Sequence, residues 1–410
     1  MNKINTIDLF AGCGGLMDGF EKSSYYRTLA CIEWEKAPCE NLENRLKKKW
    51  KYENAKDIVM RFDIQRTDEV IYGWKNDLEY GDGKGLNSLL NGKKIDVIIG
   101  GPPCQAYSVA GRIRDKDGMK NDYRNYLFES YLKIVNYYKP KFFIFENVPG
   151  ILTAKPGDEL IIEKIKESFN LNGYLVKEDL KNAIIDTADY GVPQNRKRII
   201  ILGVNIEEFG KEKSKEIIDD FYNNYLPQYK EKRKTVRDAI GDLPKLLPSD
   251  EYKKDGKKYS HMMPIKNVPN HIPRFHSKRD QKIFNLLEKD IEDEKYEYTS
   301  TEKLKDLYYE MTGKQSNVHK YYVLRWDEQS NTIPAHLFKD GLRHIHPDSS
   351  QSRSITVREA ARLQSFDDDY VFEGSVMEQY KMIGNAVPPK FSKALACALK
   401  DIFNKYVERD

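Results

Sequence analysis

The sequence predicts an α/β fold: a doubly wound, mostly parallel sheet with a smaller, irregular second domain. Three observations predict it. Short apolar runs rich in β-branched residues alternate with helical patterns through roughly the first half of the chain. Successive runs end in a glycine loop, an acid or a Gly-Pro turn, where open α/β sheets put their chemistry. Near Asn205 the alternation gives way to a charged, aromatic-rich stretch, and α/β character returns from Arg353. The domains read as 1–204, the sheet and its ligand site; 205–350, the irregular part; and 351–410, a return to the sheet.

The 410 residues suffice for one large domain or two ordinary ones, and 40% hydrophobic with 32% charged residues is a globular balance. No apolar run is long enough to span a membrane. Met1–Asn5 leads straight into strand-like sequence, leaving no room for a signal peptide. Five cysteines without a Cys-x-x-Cys pair argue against zinc and a disulfide framework, so a cytoplasmic protein is expected.

In order, Ile4–Phe10 reads as the first strand, followed by Ala11-Gly12-Cys13-Gly14-Gly15, a turn that lets a ligand approach backbone closely. Met17 stands where a dinucleotide fingerprint has its third glycine, which favours a nucleoside-type ligand over a pyrophosphate. The second strand, Thr28–Ile32, ends in Glu33-Trp34, an acid for ribose hydroxyls and an indole to stack on a purine. A third segment ends in Phe62-Asp63-Ile64, and Tyr80–Lys94 reads as a surface loop. The fourth strand, Ile95–Ile99, stops at Gly100-Gly101-Pro102-Pro103-Cys104-Gln105. Val109–Asn125, with Arg112, Arg114, Lys116 and Lys120, reads as a basic loop able to close over a phosphate backbone. A helix over 126–138 returns to a fifth strand, Lys141–Phe145, ending in Glu146-Asn147-Val148. A helix over 159–169, a strand near 183–185 and the strand Arg198–Leu202 follow.

A lone cysteine in a turn is usually an inert, buried hydrophobe. Here a glycine loop, Glu33, Asp63, Cys104 and Glu146 end five successive strands, and chance does not gather five such groups on one edge. The edge reads as a site.

From Tyr225 to Asp280 there are 14 Lys/Arg against 7 Asp/Glu, interleaved with aromatic residues. That balance fits a nucleic-acid face, with a solvated charge run as the equal alternative. Asn285–Met311 reverses it, 4 basic against 9 acidic. His271, His276, His344 and His346 show no metal spacing, so no metal is expected. Lys390–Tyr406 reads as an amphipathic helix packing on the sheet.

Six blocks, in order, resemble the DNA (cytosine-5) methyltransferases. They are Asp8–Gly15, Gly101–Gln105, Glu146–Val148, Gln194–Arg198, Arg358–Phe366 and Gly384–Pro389. Ser365 and Asp367 depart from the family's frequent glycine and proline, outside the chemistry. The resemblance implies a class I, Rossmann-like catalytic domain, S-adenosylmethionine as methyl donor with S-adenosylhomocysteine as product, and a flipped cytosine in double-stranded DNA as acceptor. It implies Cys104 as nucleophile, with Glu146, Arg196 and Arg198 as its catalytic partners. Phe10, Gly12, Gly14, Glu33, Trp34, Asp63, Ile64, Pro103, Leu127, Asn385 and Val387 would surround the cofactor. Gln105, Ser108, Arg112 and Arg124 would meet DNA beside the nucleophile. Arg274, Lys278, Arg279 and Thr332 would meet it from a target-recognition domain. The resemblance further implies a monomeric modification enzyme of a bacterial type II restriction-modification system, with a cognate endonuclease sharing its site.

The chemistry demands these residue types. Carbon 5 of cytosine attacks a methyl sulfonium only after a thiolate adds to carbon 6, a difficult step split in two. An acid at N3 and an arginine at the carbonyl stabilise the charge that develops. Relatives acting on transfer RNA carry a Cys-Phe-Thr tripeptide in the recognition region, and no cysteine lies between Cys104 and Cys397. A non-catalytic DNA-binding relative is disfavoured because nucleophile, acid and both arginines are present.

Overall fold

The computed structural model describes residues 3–103, 127–155, 159–317, 319, 321–339 and 341–407. The chain folds as two compact units: Met1–Gly191, Arg196–Lys232 and Ala386–Asp410 in the first, Val192–Asn195 and Arg233–Asn385 in the second. Residues 205–232 thus belong with the sheet and 351–385 with the second unit, whereas the sequence shows its breaks at 204/205 and 350/351. Tyr222 shows why the first of these segments stays: its hydroxyl donates to Ile200 O (2.6 Å) and accepts from Leu202 N (3.0 Å) in the sheet.

The first unit holds an eight-stranded sheet. Its parallel core is β1 (Ile4–Leu9), β2 (Tyr26–Glu33), β3 (Val59–Arg61), β4 (Val97–Gly100) and β5 (Phe142–Asn147), in spatial order 3-2-1-4-5. Short strands β6 (Tyr174–Leu175) and β7 (Ile184–Asp186) and the long β8 (Lys197–Asn205) complete it. β8 runs antiparallel to β5, β6 and β7. All five parallel strands therefore put their carboxyl ends on one edge. The order reverses between β1 and β4, the switch point where open α/β sheets hold ligands.

Alternation sends Ile7, Leu9, Ile98, Phe143, Phe145 and Ile201 to one face. There they pack with Tyr131 and Val135 of helix α3 and Ile165 and Phe169 of α4. Cys31 turns to the other face, onto Met17 of α1 and Leu42 and Leu46 of α2. These helices span Gly15–Lys22 (α1), Lys36–Lys48 (α2), Leu127–Tyr138 (α3) and Ile161–Leu171 (α4). Each large apolar side chain buried this way contributes about 1.5–3 kcal/mol.

Tyr80–Lys94 is not the surface loop that its glycines suggest. Trp74–Asp77 pairs with Gly81–Gly83, and Gly85–Leu90 is helical with Leu86 and Leu90 buried. One turn of helix carrying two leucines at i and i+4 outweighs the polar composition around it. Trp74 stacks on Phe62 with ring centroids 3.8 Å apart, and a Cβ at Gly83 would strike that indole.

In the second unit a hairpin of β9 (Pro248–Lys254) and β10 (Lys257–His261) precedes α5 (Lys278–Glu292) and α6 (Thr301–Thr312). Ile283, Phe284 and Leu287 of α5 pack with Leu304 and Leu307 of α6 and with Tyr321, Val323 and Ile345. Helix α7 (Val357–Leu363) opens with a capping box, Thr356 to Glu359. Both oxygens of the buried Glu359 meet Arg353 at 2.7 Å. Burial alone would raise this carboxyl, yet the paired guanidinium holds it far below the usual range. Helix α8 (Val376–Asn385) ends the unit.

Helix α9 (Pro389–Tyr406) belongs again to the first unit. Proline at its first position costs no hydrogen bond there. Ser392 Oγ donates to Leu16 O at 2.6 Å, and a Cβ at Gly19 would lie 2.3 Å from Ser392 Cβ. Only glycine lets α1 and α9 approach so closely.

Candidate active site

The site is the carboxyl edge of the parallel strands. After β1 the backbone turns sharply: Phe10, Gly12 and Gly14 all have positive φ, 59°, 54° and 83°. Glycine takes this conformation freely, whereas half-buried Phe10 is strained in it, a feature that concentrates at functional sites. Among the described residues a Cβ at Gly12 would meet nothing within 4 Å, so none of them closes the turn above that residue. Gly14 cannot cap α1 with a side chain. Instead, Asp8 Oδ2 accepts from Met17 N at 3.2 Å, so a buried strand carboxyl serves as the cap. Burial raises the Asp8 carboxyl well above its ordinary range.

Glu33 ties the second strand end to this turn. Its Oε2 accepts from Gly12 N (2.9 Å), and its Oε1 from Trp34 N (2.9 Å) and Glu35 N (2.8 Å). Burial raises its carboxyl while the three N–H groups pull it back. Beside it the Trp34 indole is 47% exposed. Phe62 N donates to Glu33 O at 3.0 Å, which draws in the half-buried Asp63 and the buried Ile64. Val387 O lies against α1, since a Cβ at Gly15 would be 2.3 Å from it. An open glycine turn, two carboxyl groups on adjacent strand ends and an uncovered indole suit a nucleoside with a ribose and a purine, as in S-adenosylmethionine.

On the other side of the switch point, Glu146 and Arg198 pair at 2.9 Å (Oε1 to Nε), both largely buried. The antiparallel register sets Glu146 opposite Ile200, so Arg198 is its diagonal neighbour on the same face. Asn147 Nδ2 donates to Pro102 O at 3.3 Å, anchoring the turn after β4. A Cβ at Gly101 would lie 2.6 Å from Glu146 Oε2. The second glycine of the Gly-Gly-Pro-Pro turn is therefore the space into which the acid fits. Arg196, fully buried, donates from Nη2 to Ala386 O at 3.1 Å. Burial and the neighbouring Arg198 charge push it well below the usual arginine range, with Glu146 opposing. Pro103 is half-buried and Leu127, the first residue of α3, is buried.

Cys104, Gln105, Ser108, Arg112 and Arg124 lie outside the described residues, as does the basic stretch 109–125. Asn385 is exposed at the end of α8 in the second unit.

Also in the second unit, Arg274 donates to Phe338 O (2.6 Å) and lies over the Phe338 and Tyr380 rings. Lys278 donates to Ser249 O (3.1 Å), and exposed Arg279 meets Asp280 at 3.3 Å. Thr332 donates to Asn195 O (2.6 Å), while Gln194 accepts from Ile333 N (2.9 Å) and donates to Leu363 O (3.1 Å). The block Gln194–Arg198 is thus divided: its first two residues hold the second unit together, and its arginines serve the first.

The structure adds three residues to those anticipated: Asp8, Gly101 and Asn147. The only signal for them was position inside the quoted blocks: Gly101 and Asn147 meet partners 45 residues away, and the cap that Asp8 supplies to α1 is made from a strand nine residues before Met17.

Comparison with known proteins gives consistent matches. Residues 4–401 match the family model described as C-5 cytosine-specific DNA methylase. The chain is 36% identical to the type II methyltransferase M.Bpa9945I of Bacillus paralicheniformis, covering 97% of this chain and 99% of that one. It is 31% identical to the type II methyltransferase M1.HphI of Haemophilus parahaemolyticus, covering 96% and 86%. Among solved structures, the Entamoeba histolytica methyltransferase EhMeth superposes with a TM-score of 0.55 at 16% identity, over the full length of both chains.

Proposed function

Since this chain belongs to the C-5 cytosine-specific DNA methylase family, we propose that it flips a cytosine out of duplex DNA. Cys104 then attacks carbon 6, and a methyl group is transferred from S-adenosylmethionine to carbon 5. When bound, S-adenosylmethionine supplies an electrophilic methyl on sulfonium sulfur and departs as S-adenosylhomocysteine. Glu33, Asp63 and Trp34 hold the adenosine, with Phe10, Gly12, Gly14, Ile64 and Val387 around it. Asn385, Pro103 and Leu127 complete that set on the family pattern.

Cys104 forms a carbon–sulfur bond to carbon 6, which turns carbon 5 into the nucleophile. Glu146, aimed by Arg198 and seated against Gly101, hydrogen-bonds N3 and the exocyclic amine as negative charge builds. Arg196 and Arg198 offset charge at the base carbonyl and favour the thiolate. The carbon 5 proton leaves to water, its electron pair restores the C5–C6 double bond, and Cys104 is expelled from carbon 6 as the thiolate. A stacked base cannot reach this geometry, and unstacking it costs a few kcal/mol.

The second unit takes the role of target recognition, and Gln105, Ser108, Arg112 and Arg124 meet the phosphates near the flipped base. We assign the protein to the modification half of a bacterial type II restriction-modification system, as a cytoplasmic monomer with an endonuclease reading the same site.

The observation that carries this reading is the Glu146–Arg198 pair seated against the turn that leads into Cys104. Bisulfite sequencing of DNA treated with the purified protein tests it. Protected cytosines in one sequence context are expected, with covalent trapping on 5-fluorocytosine duplexes. A Cys104→Ala protein that still methylates would overturn the assignment.

A further inference from the structure

The β9–β10 hairpin carries a charge arrangement that its own fold does not explain. Asp255 and Gly256, both at positive φ (49° and 74°), make the two-residue turn that favours a tight, right-twisted ribbon. The register then sets Lys253 directly opposite Lys258 and Lys254 opposite Lys257. Like charges facing each other across a ladder destabilise it. All four side chains are exposed, and none forms an ion pair or side-chain hydrogen bond among the described residues. Lys258 reaches only the ring of exposed Phe275, 5.8 Å away. Of the three acids in the hairpin, Asp250 meets Lys278 at 3.8 Å, Glu251 sits before Tyr252, and Asp255 occupies the turn. Below the lysines the ribbon is stiffened by Tyr252 stacked on Tyr259, with centroids 5.3 Å apart, and by Tyr252 OH donating to His261 O at 3.1 Å.

We propose that this ribbon is a DNA-binding element, its two opposed lysine pairs held for the phosphates of a duplex groove. The proposal rests on the DNA-methylation reading and adds which surface grips the substrate. A two-stranded ribbon is one of the shapes that the major groove admits. Anionic phosphates on either side turn the repulsion between facing lysines into attraction to the ligand. Arg274 and Lys278 are already engaged inside the unit, whereas these four cations are not.

The test is a salt titration of duplex binding by the full chain, using a random-sequence duplex of about 20 base pairs and fluorescence anisotropy. Each phosphate contact contributes about 0.9 to the slope of log K against log salt. A protein with all four lysines changed to glutamine should show a slope shallower by roughly 3 to 4, with affinity weakened on the order of 100-fold or more at 0.1 M salt. S-adenosylmethionine affinity, measured by calorimetry, should hold, reporting an intact first unit. Lys253→Glu separates function from folding. It creates an opposite-charge pair with Lys258, so the unfolding midpoint should stay level or rise while affinity falls. Lysines that merely guard ribbon edges against aggregation would cost solubility and leave the slope unchanged, which overturns the proposal. So would a Lys253→Glu protein that binds as well as the parent. A parent protein that neither binds nor methylates duplex DNA overturns the underlying reading instead.

Discussion

Gly101→Ala separates the stability of the site from its chemistry. Gly101 is not among the residues with positive φ, so its backbone accepts alanine. The added Cβ meets one atom closely, Glu146 Oε2 at 2.6 Å, while the next atoms lie at 3.7 Å. Reaching ordinary contact at 3.4 Å requires the carboxylate to retreat by about 0.8 Å. That atom is the far end of a flexible side chain, so the folding cost should stay near 1 kcal/mol. Catalysis should suffer more, because the retreat moves the acid away from N3 and strains its 2.9 Å pairing with Arg198. Misplacement approaching 1 Å costs on the order of 100-fold in rate, about 3 kcal/mol of barrier. Single-turnover transfer of a tritiated methyl group at saturating cofactor measures the loss, and thermal unfolding measures stability. Transfer within about twofold of the parent would refute the placement of Glu146 as the acid. A collapsed unfolding midpoint would refute the soft collision.

Three further outcomes are expected. Arg353→Met strips the buried Glu359 of its partner and should cost about 3–5 kcal/mol in urea unfolding, much of it recovered by adding Glu359→Gln. Burial lowers His344 to about 4 and His276 to about 3. Because these folded values lie below the unfolded value of about 6.5, their stabilisation is complete above that pH and lost as pH falls toward 3–4. Burial pushes Glu288 up to about 9, the opposite case, so Glu288→Gln should match the parent near pH 4 and become increasingly the more stable protein up to pH 9. Finally, S-adenosylmethionine should quench or blue-shift indole emission by covering Trp34, and Trp34→Phe should remove that change; an unaltered response in the variant would exclude Trp34 from the cofactor contact.

The edge of strand ends was legible because its signals are local. A glycine turn, an acid or a Gly-Pro stop directly follows each apolar run, and strand order alone then brings them together. The helix at Gly85–Leu90 was hidden because two leucines decide it within a stretch whose composition says loop. The fit of Glu146 against Gly101 joins residues 45 apart, and no spacing rule reports it. The same holds for the Arg353–Glu359 pair and for the burial of the histidines, which no spacing rule reports. The internal carbonyl contacts of Arg274 and Lys278 were not legible, since sequence does not show which cations already have a carbonyl to bind.

The docking of α9 on α1 also bears on the order in which the protein is made. Ser392 and Leu16 are 376 residues apart, and Tyr26 reaches Ala396 O at 2.8 Å across a similar span. The helix that closes one face of the catalytic sheet is synthesised after the entire second unit. At roughly 5–20 residues per second, that face waits many seconds on the ribosome with its apolar surface uncovered. The second unit, continuous from Arg233 to Asn385, can meanwhile assemble most of its structure. Catalytic competence therefore arrives last, as a long-range closure step, and lesions in α9 should reduce the yield of folded enzyme before they alter its chemistry.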